Sequence, residues 1–249
     1  MKLILHAGTH KTGTTSIQNV LRKNRIWLAQ RGLYYPMGHL GWGGNREVPH
    51  HDFAHALADY HRPELMWAWG MLQEMHAHGL MGQTVIFSCE ALYRHTLGDR
   101  GYAITPTFWA DREAYLHRIA RWFRHFEIRP ILYFREPESF AVSLKHELTV
   151  NGAWAGGTME EFRQHFAPWF DYERQIGLFR RVFGSVEVRS YDDAKHALIA
   201  DFFNAIGFPV PEGADQEPWL RQRPVSRPVV EAVWKKAALA VGRELTNRL

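Results

Sequence analysis

The stretch KLILHAGTHKTGTTS, residues 2–16, decides the predicted fold. Its first part, Lys2–Ala7, is nearly continuous in apolar character, which is typical of a strand that is covered on both faces. A loop bounded by Gly8 and Gly13 follows, and then a helix with its apolar positions on one face. This order of strand, loop and helix predicts an anion site, because such a loop and a helix N-terminus present backbone N–H groups to the ligand.

The alternation of short apolar runs and helical patterns continues along the chain. We therefore predict an α/β fold, a parallel sheet flanked by helices on both faces, with a P-loop-like nucleotide-binding architecture. The further strands are predicted at Thr84–Cys89, Ile128–Phe134 and Ser185–Ser190. One helix is predicted to begin at Pro63 and to end at Gly79. Thr158 and Glu161 predict a capping box at the start of another helix, and Gly207 is predicted to end the stretch 192–206.

Length and composition limit the class of protein. The chain has 249 residues, 46% of them hydrophobic and 22% charged, without repeats or linkers, which predicts a single domain over residues 1–249. No apolar run approaches the roughly 20 residues of a membrane span. Because His6 also interrupts the apolar start, we expect neither a span nor a signal peptide, and hence a cytoplasmic location. Cys89 is the only cysteine, which excludes an intrachain disulfide.

The charge balance favours a small anionic ligand over a nucleic acid. The formal net charge is +4, and the lysines and arginines are dispersed along the chain. Even the clusters are small, and residues 221–227 hold only three arginines. Nucleic-acid binding would be indicated by a longer basic run or stripe. We therefore predict no nucleic-acid partner and expect a few basic groups to bind a small anion.

Residues 37–83 are predicted to be a variable insertion that binds the acceptor. Its first part, residues 37–61, is rich in glycine and histidine and shows no sustained period, which predicts a loop with one short helix. His51 and His55 have the i, i+4 spacing of zinc ligands, but Asp52 beside the first of them does not fit a metalloprotease pattern. A structural or acceptor-facing role is favoured, and no metal is expected.

The loop differs from the common ATP-binding pattern at one position. Gly-x4-Gly-Lys-Ser/Thr fits at Gly8 and Gly13, but Thr14 stands where the lysine belongs, and Lys11 lies inside the loop instead. This displacement argues against ATP with magnesium as the ligand. Lys11 supplies a full positive charge beside the phosphate. Hydroxyl donors are offered by Thr12, Thr14, Thr15 and Ser16.

Two ordered motifs resemble those of sulfotransferases that use 3′-phosphoadenosine 5′-phosphosulfate (PAPS), in particular the bacterial, carbohydrate-type branch. Lys11–Ser16 resembles the loop that holds the 5′-phosphosulfate. Arg135 closes a strand, Pro137 follows, and Ser143 lies eight residues after the arginine, which resembles the family's 3′-phosphate motif. An arginine fork at a strand end is well suited to phosphate in any case. The resemblance implies PAPS as cofactor and places Arg135 and Ser143 at its 3′-phosphate.

The resemblance also indicates a catalytic base. Ser88-Cys89-Glu90 resembles the segment that carries the catalytic glutamate in carbohydrate-type sulfotransferases. Glu90 follows a predicted strand and so emerges at the edge of the sheet where the Lys11 loop opens. The implied reaction is in-line transfer of the sulfuryl group to a hydroxyl or amine, with Glu90 as base and Lys11 at the leaving phosphate. Because other branches use histidine, the substitutes are His50, His51, His95 and His146.

Two other functions remain open from the sequence. One is a P-loop kinase or NTPase with a displaced lysine, which would require Mg²⁺. The other is a nucleotide-binding module without catalytic turnover. The sequence does not identify the acceptor, for which a small molecule, a glycan and a lipid head group all remain, nor does it identify the oligomeric state. The tail from Ser226 to Leu249 is predicted to form an amphipathic helix.

Overall fold

The computed structural model describes residues 1–37, 49–59, 62–98 and 103–214, with the side chains at 49 and 62–67 left aside. These residues belong to one compact unit, Met1–Asp215. Within them, parallel strands form a five-stranded sheet of order β2-β3-β1-β4-β5. The strands are β1 Lys2–Gly8, β2 Leu33–Tyr34, β3 Thr84–Ser88, β4 Glu127–Phe134 and β5 Glu187–Ser190.

Helices connect the strands and cover the sheet. The helices of the described residues are α1 Thr14–Lys23, α2 Arg25–Ala29, α3 Pro49–Ala58, α4 Arg62–Leu80, α5 Phe108–Trp122, α6 Pro137–Val150, α7 Met159–His165, α8 Ala167–Phe170, α9 Tyr172–Phe183, α10 Tyr191–Ala194 and α11 Leu198–Ile206. A 3₁₀ turn, Glu90–Tyr93, follows β3 directly. In these described ranges no helix combines the length and the apolar character that crossing a bilayer requires.

Strand β1 is buried on both faces of the sheet, as predicted. Successive side chains of β1 point to opposite sides, so Leu3 and Leu5 lie in a core with α3, α4, α5 and α9, whereas Ile4 lies in a second core with α1 and α11. All three side chains are at most 3% exposed. Full burial of each such side chain is worth roughly 1.5–3 kcal/mol, which explains the nearly continuous apolar character of this strand.

The register of the sheet brings three strand ends to one edge. In β1, His6 lies opposite Ser88 of β3, and Gly8 lies opposite Tyr133 of β4. The loops that follow β1, β3 and β4 therefore leave the sheet side by side. Because the chain leaves β1 toward β2 and leaves the adjacent β4 toward β5 in the opposite direction, the ends of β1 and β4 form the topological switch point at which α/β sheets bind ligands.

The structure confirms the predicted strands to within two residues and adds β2, which at two residues is too short to show a period. It divides the predicted helical stretch 192–206 between α10 and α11, and Gly207 ends the second with a left-handed φ of 74°. The predicted short helix of the insertion is α3. The capping box at Thr158 is present. Some residues of the sequence analysis lie outside the described ranges. In the glycine- and histidine-rich segment these are His39, Trp42 and His61. Near the C-terminus they are Arg221, Arg223, Arg227 and the predicted tail helix.

Candidate functional site

The loop after β1 is tightly wound. Lys11 has a φ of +63° and is, among the described residues, the non-glycine residue with positive φ. Holding a lysine in this conformation costs on the order of 1–3 kcal/mol, so its surroundings must fix it there. The Thr12 hydroxyl donates to the carbonyl of Thr9 at 2.7 Å and ties the two sides of the loop together. The geometry therefore fixes the backbone at the lysine that the sequence singles out.

Both glycines of the loop are required by close approaches. A Cβ on Gly8 would lie 2.4 Å from the carbonyl oxygen of Tyr133, and one on Gly13 would lie 2.2 Å from Cδ2 of Leu198. Gly13 also has a φ of +70°. The Thr9 N–H donates to the same Tyr133 carbonyl at 3.0 Å. The start of the loop is thus pressed against β4 and its end against α11, which leaves little freedom in its shape.

The start of α1 is suited to an anion. Gly13 is the N-cap and offers no side-chain acceptor, and the first turn contains no acidic residue. The first N–H groups of a helix carry about half a unit of positive charge. Oγ1 of Thr14 is buried and makes no hydrogen bond within the part of the chain that the structure describes. Thr15 is exposed and Ser16 is half-buried, so these hydroxyls lie nearer to solvent.

Arg135 lies beside this loop. Its backbone N–H donates to Oγ1 of Thr9 at 3.1 Å, which joins the end of β4 to the start of the loop. Its guanidinium carbon lies 6.0 Å from the ring centroid of Tyr191. A Cβ on Gly13 would lie 3.5 Å from Cε2 of that same ring. Tyr191 therefore links the side chain of Arg135 to the loop, and the two motifs of the sequence lie on one edge of the sheet.

Helix α6 runs from Arg135 toward Lys11. It begins as predicted with Pro137 in its first turn, capped by the side chain of Glu136. Residues four apart lie on the same side of a helix, and Ser139, Ser143 and Glu147 form such a row. Ser139 Oγ accepts from Nε of Arg135 at 2.9 Å. At the other end, Oε2 of Glu147 lies 3.1 Å from Nζ of Lys11, so the half-buried Ser143 lies between the two cations.

Glu90 also reaches the Lys11 loop. It opens the 3₁₀ turn after β3, and its Oε1 lies 3.7 Å from Nδ1 of His10. Its side chain is 25% exposed. Burial raises the pKa of Glu90, the Glu147 carboxylate raises it further, and Arg94 and Lys11 act in the opposite direction. A carboxylate with a raised pKa in this position is a stronger base than a solvent-exposed one.

The sequence analysis missed two residues of this cluster, His10 and Glu147. Nδ1 of His10 lies 3.7 Å from a carboxylate oxygen of each glutamate, Glu90 and Glu147. The pKa of His10 lies well below its ordinary value, first because of burial and then because of nearby cations, so the ring stays neutral. The sequence could have indicated Glu147, since it lies four residues after Ser143 and so on the same side of the helix. For His10 the only indication in the sequence is its position next to Lys11.

The four histidines that could replace Glu90 as the base lie in different environments. Both ring nitrogens of His50 are engaged: Nε2 lies 2.8 Å from the Pro36 carbonyl, and Nδ1 accepts from the Ser88 N–H at 2.9 Å. His95 is buried, with Nε2 at 2.8 Å from Nδ1 of His55. Burial lowers the pKa of His51 to about 4. His146 is exposed on α6. His50 and His95 are thus engaged inside the fold, whereas Glu90 faces the loop.

The burial of His50 predicts acid sensitivity. Burial lowers the pKa of His50 from 6.5 to about 3, so the folded chain keeps this ring neutral. Below pH 6.5 the unfolded chain takes up a proton that the folded chain does not, so the stabilising contribution is lost as the pH falls. We expect about 2 kcal/mol of stability to be lost at this residue between pH 7.5 and pH 5. Urea unfolding at both pH values measures it.

The matched comparison uses two variants. His50→Gln retains a donor toward Pro36 and removes the titration, so its loss of stability between the two pH values should be smaller than that of the parent by about 2 kcal/mol. His146→Gln, at an exposed position of α6, should show the same loss as the parent. An unchanged pH dependence in His50→Gln would contradict this account.

In the described ranges, no group of three or more His, Cys, Asp or Glu side chains is arranged to hold a metal ion. Cys89 is buried, and burial raises its pKa, so its thiol is not a nucleophile at neutral pH. The described site is therefore a tightly wound glycine loop with an arginine, a lysine, two carboxylates and a neutral imidazole in or beside it.

Comparison with known proteins gives structural neighbours but no match in sequence. The chain resembles the crystal structure of a sulfotransferase from Alicyclobacillus acidocaldarius, with a TM-score of 0.46 and 15% identity over 95% of this chain and 92% of that one. It also resembles the sulfotransferase domain from the curacin biosynthetic pathway, with a TM-score of 0.46 and 10% identity over 88% of this chain and 78% of that one. No family profile and no curated protein matches the chain.

Proposed function

We propose that this protein is a PAPS-dependent sulfotransferase that moves the sulfuryl group to a hydroxyl or amine of a small-molecule, glycan or lipid acceptor. The observation that carries the proposal is the row Ser139, Ser143 and Glu147 on α6. It joins Arg135 at one end to the Lys11 loop at the other. Eight residues of helix span about 12 Å, so the two cations are offered to separate parts of one elongated anion.

The residues of the site fit PAPS. The loop and the start of α1 suit the 5′-phosphosulfate, because Thr14 has a buried hydroxyl that makes no hydrogen bond within the described ranges. A Cβ at Gly13 would alter this cradle. Lys11 is the cation at this end, and Thr12, Thr15 and Ser16 complete the loop. Arg135 and Ser143 would hold the 3′-phosphate, with the planar guanidinium suited to bidentate phosphate contacts.

Each residue has one task in the proposed mechanism. PAPS, when bound, supplies the activated sulfuryl group. Glu90 removes the proton from the acceptor hydroxyl, and its raised pKa makes it basic enough for this step. Lys11 places a positive charge where negative charge develops on the departing phosphate. Arg135 and Ser143 orient the nucleotide by its 3′-phosphate, and no metal ion is required.

Helix α3 supports an acceptor-binding role for part of the insertion 37–83. It packs against the 3₁₀ turn that carries Glu90. His51 of this helix lies near enough to His10 to lower its pKa. We therefore propose that the acceptor hydroxyl reaches Glu90 past α3. The insertion then varies with the acceptor, while the loop and α6 keep the nucleotide.

The test of the proposed function is a comparison of nucleotides by thermal shift. PAP, the product nucleotide, should stabilise the fold by about 2.7 kcal/mol at 100 times its dissociation constant. For a domain of this size this corresponds to roughly 5–11 °C. AMP lacks the 3′-phosphate and should give a much smaller shift. Arg135→Ala should abolish the difference between PAP and AMP, because it removes the fork assigned to that phosphate.

Arg181→Ala is the matched control, because Arg181 pairs with Glu113 on the helices α9 and α5. It should keep the full difference between the two nucleotides. Equal shifts for PAP and AMP in the parent protein would remove the 3′-phosphate from the proposal. Stabilisation by ATP only with Mg²⁺ would indicate a kinase or NTPase instead. PAP binding without sulfate transfer to a broad acceptor panel would indicate a catalytically silent module.

A further inference from the structure

Glu147 contacts Lys11, the residue that the proposed mechanism places at the departing phosphate, yet that mechanism gives Glu147 no task. Its Oε2 lies 3.1 Å from Nζ of Lys11, and its Oε1 lies 3.7 Å from Nδ1 of His10. Its side chain is 20% exposed, whereas that of Lys11 is 50% exposed. A half-buried carboxylate beside an anion-binding loop is unfavourable for binding an anion, since like charges repel. Its presence there calls for a function.

We propose that Glu147 is a positioning residue that holds the Lys11 ammonium at the transfer centre and places a second negative charge beside Glu90. This proposal rests on the proposed function for its consequences in catalysis. The carboxylate holds the end of a long, mobile lysine side chain on the α6 side of the loop. The incoming nucleotide must then compete with Glu147 for the ammonium, so some binding free energy is given up for an ordered lysine.

The second consequence concerns Glu90. Among the described residues, the charged and titratable groups that contact Glu90 or shift its pKa are Arg94 from the end of its own turn, Lys11 and His10 from the loop, and Glu147 from α6. Burial is the main reason that the pKa of Glu90 is raised, and Glu147 is the neighbour that adds to it. Glu147 therefore opposes nucleotide binding and supports proton removal. A residue that merely holds the fold together would do neither.

The experiment replaces Glu147 by glutamine, which keeps the shape and removes the charge. PAP should bind Glu147→Gln about 3- to 10-fold more tightly in isothermal titration, since a tenfold change corresponds to 1.4 kcal/mol and an ion pair of this exposure is worth a similar amount or less. The KM for PAPS should fall, and kcat should fall as well. The acid limb of the pH profile of kcat/KM should move to lower pH.

The carboxyl titration of Glu90, followed by carbon-13 NMR without any nucleotide, gives a readout that does not require activity. In Glu147→Gln the midpoint should move downward, because a like charge has been removed. Glu147→Asp retains the charge and should restore both the PAP affinity and the midpoint toward the parent values. Glu113→Gln removes a carboxylate from the ion pair with Arg181 and should change neither.

Unchanged or weaker PAP binding in Glu147→Gln, or an unchanged Glu90 midpoint, would overturn the proposal. Glu147→Ala provides a second variant without the charge if the glutamine variant fails to fold. Failure of the proposed function is distinguishable, because the parent protein would then show no PAP binding and no transfer. The Glu90 titration would still decide whether Glu147 sets the charge at this centre.

Discussion

Replacing Glu90 by glutamine is expected to slow sulfuryl transfer at least a hundredfold while PAP binds nearly as well as before. The physical reason is that a positioned base contributes roughly 10²–10⁴-fold and that an amide cannot take the acceptor proton. Glutamine retains the size of the side chain and the 3₁₀ turn that it opens. Single-turnover transfer from PAPS to an accepted substrate, together with calorimetric PAP binding, measures the two effects separately.

Glu127→Gln is the control for this variant. Glu127 is exposed at the start of β4, at the opposite edge of the sheet, so its replacement should leave transfer unchanged. Full turnover in Glu90→Gln would transfer the role of base to a histidine. His10 would then be the first to test, because it belongs to the loop and its Nδ1 lies 3.7 Å from Oε1 of Glu90. His50 and His95 would be poor substitutes, since both ring nitrogens of His50 and Nε2 of the buried His95 are engaged within the fold.

The pH dependence of transfer follows from the same residue. Because the pKa of Glu90 is raised, its carboxyl takes up a proton, and becomes inactive as a base, at a higher pH than an ordinary glutamate does. The rate should therefore fall as the pH decreases through the raised value. The neutral His10 beside it contributes no charge in this range, since its own pKa lies well below the ordinary value.

The sequence alone predicts the parts of the site that follow strand ends. Lys11, Glu90 and Arg135 each come soon after a predicted buried strand, and parallel strands bring such residues to one edge. The proximity of these three residues can therefore be predicted from the strand pattern, without information on side-chain packing. The same pattern identifies both covered faces of the sheet, because the residues of β1 alternate between two cores.

The residues that the sequence did not predict depend on packing between distant elements. Tyr191 lies between Arg135 and the loop because α10 follows β5 at the same edge. Glu147 meets Lys11 because α6 turns one side toward the loop. The direction in which a helix faces is set by the apolar side chains that it buries, here Phe140, Leu144 and Leu148. A single sequence gives that face but not the element opposite it.

The composition of the site makes Lys11 central to the proposed mechanism. Glu147 contacts the Lys11 ammonium at 3.1 Å, and the neighbouring neutral imidazole of His10 lies 3.7 Å from the carboxylates of Glu90 and Glu147. The backbone N–H groups and the start of α1 can bind an anion with partial charges alone. They cannot supply a full positive charge to stabilise the negative charge that develops on the departing phosphate. In the proposed mechanism, binding and catalysis therefore depend on different groups of the same loop.

Lys11→Met is expected to separate these two functions. Methionine keeps an unbranched side chain at this positive-φ position and removes the charge, so we expect the loop to keep its shape. Transfer should fall about 10²–10³-fold, the usual effect of removing a group that stabilises developing charge. PAP binding should weaken by only about tenfold, because the partial charges of the loop and helix remain. Single-turnover kinetics and calorimetry distinguish the two.

Lys2→Met makes the same chemical change at the amino edge of the sheet, where Lys2 is exposed at the start of β1. Its transfer rate should equal that of the parent, which excludes an effect of net charge alone. If Lys11→Met kept transfer within threefold of the parent while PAP still bound, the lysine would be a binding group only. The charge on the leaving phosphate would then have to be met by Arg94 or by the start of α1. A loss of PAP binding that accounts for the whole loss of kcat/KM, with the single-turnover rate at saturating PAPS unchanged, would likewise mean that Lys11 stabilises nucleotide and transition state equally, since uniform binding leaves the chemical step unchanged.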